Sequence, residues 1–153
     1  MNKIEFKREA LQQARISHQK VLEDLKYGIE ELQKSEMGLH EDQLDMDQQS
    51  LDDVSNETII RLGEQLNFAR DEMELLNRMV VQEPLHSEVT LGSIVETDQR
   101  TFYVSASIEK YTVNDREIFG LSTHTPVYSA MKGMSKGDTF SFRDTTYKIL
   151  DVY

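Results

Sequence analysis

The sequence predicts an α+β protein in which an antiparallel coiled-coil helical hairpin over residues 1–83 is followed by a small β-rich domain over residues 84–153. Three observations support this. From Ile4 to Val81 there is no proline and a high content of Leu, Glu, Gln, Lys and Arg, all good helix formers. Two stretches within that span carry apolar residues at helical spacing. After Pro84 the pattern changes to short runs of Val, Ile, Phe, Tyr and Thr separated by turn residues.

The helical stretches come first in the chain. Ile59, Leu62, Leu66, Ala69, Met73, Leu76 and Val80 alternate spacings of three and four, which is the a/d seam of a heptad. Upstream, Ile4, Leu11, His18, Leu25 and Leu32 recur every seven residues, with Leu22 and Ile29 between them. Two such stripes facing each other antiparallel pair Leu32 with Ile59, Ile29 with Leu62, Leu25 with Leu66, Leu22 with Ala69, His18 with Met73 and Leu11 with Val80. The chain then reverses near residues 45 and 46, beyond Gly38, which offers a helix C-cap. At about 1.5 Å rise per residue the reversal lies roughly 50 Å from the base of such a hairpin. Because each stripe covers the other, a monomer is expected.

Pro84 lacks an amide donor and restricts the residue before it, so the helical pattern is expected to end there. Strands are expected over residues 93–97, 101–107, 117–122, 139–143 and 146–152, with turns at Asn114-Asp115 and Lys136-Gly137-Asp138. Thr125-Pro126 reads as the N-cap and first position of a short helix over residues 127–132, and Gly133 as its stop. Residues 85–153 are expected to fold alone.

Composition narrows the function. The chain has 153 residues and a formal charge of −11, which disfavours nonspecific binding to duplex DNA, because phosphates are repelled. There is no cysteine, hence no disulfide or thiolate zinc site, which suits a reducing compartment and makes the cytoplasm the expected location. No long apolar run is present to span a membrane. No nucleophile elbow or phosphate-cradling glycine loop occurs, so an autonomous hydrolase or NTPase is not expected.

Between Ser35 and Ile60 there are eight acidic groups and no Lys or Arg. The segment about 38–53 is therefore an acidic tip containing Glu41, Asp42, Asp45 and Asp47. Carboxylates are hard oxygen ligands that suit Mg²⁺, which needs only one or two of them together with water and phosphate oxygens. The plainer reading is a solvated turn, with Asp52 and Asp53 complementing the dipole of the second helix. Mutual repulsion at a turn is nevertheless a cost that suggests a use. Asp42 and Asp45, three apart about the reversal, are the metal candidates, with Glu41 and Asp47 in support. His18 reads as a polar packing residue of the seam, and His40, His86 and His124 as loop residues without ligand spacing. Lys20, Lys26 and Lys34 read as solvated charges of the first helix.

In the second domain, Val89-Thr90-Leu91-Gly92-Ser93-Ile94-Val95 and the segment STHTPVYSAMKGMSKGD from Ser122 to Asp138 resemble the C-terminal domain of the Gre-family transcription elongation factors. The shared pattern is S-x-x-[ST]-P, a short helix, then G-x-x-x-G-D. The resemblance implies an FKBP-like C-terminal fold without prolyl isomerase activity. It also implies docking at the secondary channel of bacterial RNA polymerase, with Ser122, Thr125, Pro126 and Gly133 in the docking segment. The hairpin tip then reaches the active site, near the nascent RNA, and shares a Mg²⁺ with the polymerase, which cleaves its own backtracked transcript. The chain itself is not expected to be an enzyme. Family members that stimulate cleavage carry a tip of the form G-D-x-x-E-N-A-E-Y, whereas this chain reads LHEDQLDMDQQ after Gly38. The alternatives are a non-cleaving modulator or inhibitor built on the same body and a structural coiled-coil interaction protein.

Overall fold

The structure is a computed structural model that describes the backbone of residues 2–40 and 46–153 and the side chains of residues 2–35 and 56–153. Glu41, Asp42, Asp45 and Asp47 thus lie outside the described side chains. The architecture is α+β: α1 (Lys3–His40), α2 (Met46–Arg78), β1 (Ile94–Thr97), β2 (Thr101–Ser105), β3 (Ile108–Val113), β4 (Arg116–Ser122), α3 (Pro126–Met131), β5 (Thr139–Phe142) and β6 (Thr145–Val152). No helix among the described residues is long and apolar enough to cross a membrane.

Two compact units are present, and they do not divide at Pro84. One comprises residues 18–71, the other residues 1–17 together with residues 72–153. In the first, Leu22, Leu66 and Ala69 are buried, while Leu25, Ile29, Leu32, Ile59 and Leu62 are half-buried. The expected stripes are thus the covered faces. His18 is buried, and its Nε2 lies 2.7 Å from the Ala69 carbonyl. A carbonyl oxygen only accepts, so that ring nitrogen carries the proton. Helix α1 continues through Gly38 to His40, so Gly38 is not its C-cap. A glycine in a helix interior costs only about 1 kcal/mol relative to alanine, which is too little to end a helix by itself.

In the other unit α1 opens with a reciprocal cap. Asn2 Oδ1 accepts from the Glu5 amide at 2.8 Å, and Glu5 Oε2 accepts from the Asn2 amide at 3.3 Å. Phe6, Ala10, Leu11 and Ala14 of α1 and Leu76 of α2 form one buried cluster with Ile94, Tyr103, Ile108, Tyr111, Val113, Ile118 and Tyr153. Arg116 adds a polar clasp: its guanidinium lies 4.5 Å from the Phe6 ring centre and donates at 2.6 Å to Glu96, which also accepts from the Tyr153 hydroxyl at 2.7 Å. Helix α2 ends at Arg78, earlier than the heptad pattern suggests, and Val80 is exposed rather than on a seam. The Arg15 guanidinium donates to the carbonyls of Leu76 (2.9 Å) and Met79 (3.1 Å), satisfying acceptors that a helix end leaves open.

The strands form one sheet in the order β3-β4-β2-β1-β6-β5. All neighbours are antiparallel except β2 and β4, which are parallel. Because successive side chains point to opposite faces, Ile94, Tyr103 and Ile118 join the helix-covered cluster. Val95, Phe102, Val104 and Leu121 join a second cluster with Tyr128 and Met131 of α3, Phe140, Tyr147 and Ile149. Strand β3 is absent from the sequence-based expectation. Its pairing with β4 shifts register between Ile108 and Tyr111, which breaks the alternation that marks a strand. The expected turn at Asn114-Asp115 is present with both φ positive, at 48° and 64°. A second such turn, Arg143-Asp144 (47° and 61°), joins β5 to β6, so Arg143 belongs to the turn and not to the strand.

Candidate functional site

The segment singled out in the sequence folds as a chain of local hydrogen bonds. Thr125, with extended backbone, caps α3: its Oγ1 accepts from the Tyr128 amide at 3.3 Å and donates to the Ser122 carbonyl at 2.7 Å. Pro126 takes the first helical position, where its missing N–H removes no bond. Gly133 follows α3 at φ 76°, a conformation that favours glycine, and its amide donates to the Val89 carbonyl at 3.0 Å. The Val89 amide returns a 2.8 Å bond to the Met134 carbonyl, which ties the two sequence motifs together.

The start of α3 forms one wall of an open groove of about 320 Å³. Phe102, Phe119 and Leu121 contribute from the sheet, Thr125, Pro126 and Val127 from the helix, and Phe142 and Arg143 from the β5–β6 turn. Two cations rim it. The Arg100 guanidinium lies 4.5 Å from the Phe119 ring centre and that of Arg143 lies 5.1 Å from Phe142. Stacking on aromatic faces leaves guanidinium edges free to donate. An apolar floor between two such cations suits a protein partner that presents an apolar or aromatic side chain next to carboxylates.

Thr125 and Pro126 therefore line the groove. Ser122 and Gly133 do not. Ser122 is buried and accepts from the His124 amide at 3.2 Å, and Gly133 turns the chain behind the helix, so both build the wall without facing a partner. Sequence reasoning missed Arg100, Phe119, Phe142 and Arg143. They come from separate strands and turns, and their convergence follows only from the sheet order. Among the described residues no group of three or more His, Asp or Glu side chains could hold a metal ion. His86, expected to be an ordinary loop residue, lines a cavity.

The groove and α3 belong to the sheet-bearing unit. No protein-family model and no curated protein matches the chain. Solved structures similar to it include the following two. One, titled as the structure of the transcription factor Gfh1, is 19% identical over 91% of this chain and 92% of that one, with a TM-score of 0.35. The other is GreA factor homolog 1 (Gfh1) of Thermus thermophilus, 22% identical over 95% of this chain and 93% of that one, with a TM-score of 0.33.

Proposed function

We propose that this protein is a cytoplasmic regulator of bacterial RNA polymerase. It docks through the groove beside α3 and presents its acidic tip at the secondary channel, where it stimulates cleavage of backtracked RNA. One observation carries this reading. The segment from Ser122 to Asp138, which resembles the Gre-family pattern, builds the wall of an apolar groove rimmed by Arg100 and Arg143. The chain supplies ligands and position and is not itself the enzyme. Asp42 and Asp45, supported by Glu41 and Asp47, would hold a Mg²⁺ shared with the polymerase, whose chemistry there is to activate a water toward an RNA phosphate. That assignment rests on the sequence of the tip.

The tip also motivates a second reading. Since LHEDQLDMDQQ stands where cleavage factors carry G-D-x-x-E-N-A-E-Y, a non-cleaving modulator or inhibitor on the same body fits the same docking. Binding to purified bacterial core RNA polymerase tests the part common to both. Arg100→Ala combined with Phe119→Ala is expected to weaken binding at least tenfold while circular dichroism stays unchanged. Equal binding by a folded double variant would remove the groove from the account.

A further inference from the structure

A second, half-open concavity in the same unit, sharing no lining residue with the groove, measures about 460 Å³. Leu75 and Met79 from the end of α2, Val81 and Pro84 from the following segment, and Leu91 make it largely apolar. Its charged and titratable lining consists of Lys7, Arg78, Glu83, His86 and Tyr103. Lys7 is the anomaly, because the residue is only 2% exposed, yet among the described residues no carboxylate or carbonyl receives its ammonium, which reaches the surface of the cavity.

Holding an ammonium partly desolvated against an apolar wall without a partner carries a cost, and methionine would fill a similar volume on α1 without it. Burial lowers the Lys7 pKa to about 8, so the amine is still mostly charged at neutral pH. His86 is lowered too, first by burial and then by the Lys7 charge, which places both groups on the same space. Gly92 leaves that space open. At φ 89° it carries no side chain, and a Cβ there would stand 3.4 Å from His86 Nε2 and 3.9 Å from Met79 Cε.

We infer that this cavity binds a small organic anion, with its carboxylate or phosphate-ester head on Lys7 and its apolar body against Met79, Val81 and Pro84. The anion supplies the counter-charge that the fold withholds. Arg78 adds to the attraction, and Glu83 is the single acid in the lining, so the site keeps a net positive charge with His86 neutral. This site shares no lining residue with the docking groove.

The test uses the full chain and three probes of similar shape: 2-naphthoate, 2-naphthyl phosphate and the neutral 2-naphthamide. At least one of the two anions is expected to bind at least tenfold more tightly than the amide, and the tighter of them identifies the head group. Lys7→Met should abolish that preference while the amide binds as before. On the unmodified protein, saturating anion should raise the Lys7 pKa from about 8 toward 10.5, read by NMR of the lysine side chain, so the outcome does not depend on the variant folding. Equal binding of anions and amide, or a Lys7 pKa unmoved by saturating anion, overturns the inference.

Discussion

Cutting the chain at Pro84 should unfold the sheet. Phe6, Leu11 and Leu76 are at most 5% exposed, and together with Ala10 and Ala14 they cover the face formed by Ile94, Tyr103, Ile108, Val113 and Ile118. At about 1.5–3 kcal/mol for each large apolar side chain buried, the first three alone contribute roughly 5–9 kcal/mol. A domain's entire stability is about 5–15 kcal/mol, so a fragment of residues 85–153 falls to or below the folding threshold. It also leaves an apolar face in water. The expected result is a poorly dispersed amide NMR spectrum without a cooperative thermal transition. Joining residues 1–17 to residues 72–153 through a short glycine-rich turn keeps the whole cluster, and that protein should melt cooperatively. A fragment of residues 85–153 that melts as sharply as the full chain would refute the reasoning and restore the boundary at Pro84.

Other consequences are more local. Gly120→Ala should cost about 3 kcal/mol, since its Cβ would lie 2.5 Å from the Ala106 carbonyl oxygen and 2.8 Å from Ile108 Cβ; an unchanged melting temperature would contradict that close crossing. Thr125→Ala removes the acceptor for the Tyr128 amide and should cost about 1 kcal/mol, whereas Thr125→Ser should cost less, as denaturant titration can show. Lys7 binds its proton less tightly folded (about 8) than unfolded (10.5), so the unfolded chain holds more protons between these values. Stability should therefore rise from pH 7 to 9.5, and Lys7→Met should be more stable at pH 7 and lack that rise. Above pH 10 the raised pKa values of Tyr103, Tyr111 and Tyr153, each caused first by burial, act oppositely, because the unfolded tyrosines ionise first.

What could be read from the sequence was what local chemistry dictates. Thr125-Pro126 and Gly133 bracket a helix in nearly any context, because a cap, a fixed φ and a left-handed stop are properties of those residues. The helical stripes were equally plain, since spacing alone reveals a sticky face. What covers each face was not legible. Leu11 and Leu76 look like coiled-coil positions and Phe6 lies off that stripe, yet all three pack on a sheet whose residues follow far along the chain. Strand β3 was hidden by its bulge, and the end of α2 by Arg15, which takes the final carbonyls from sixty residues upstream. The groove was legible only in its helical wall. Arg100, Phe119, Phe142 and Arg143 have no common spacing, and Lys7 reads as one more helix charge until its burial is seen.

The most direct test of the proposed function is RNA cleavage in stalled, backtracked complexes of bacterial RNA polymerase at limiting Mg²⁺. Asp42→Asn and Asp45→Asn keep size and remove charge, so the double variant should fold as well as the native chain and bind the polymerase equally. The native protein is expected to accelerate shortening of the transcript, and the double variant to lose that acceleration. A native protein that binds the polymerase and slows cleavage or synthesis selects the non-cleaving reading. If the double variant regulates as well as the native chain, the acidic tip is not the working end, and the central claim fails.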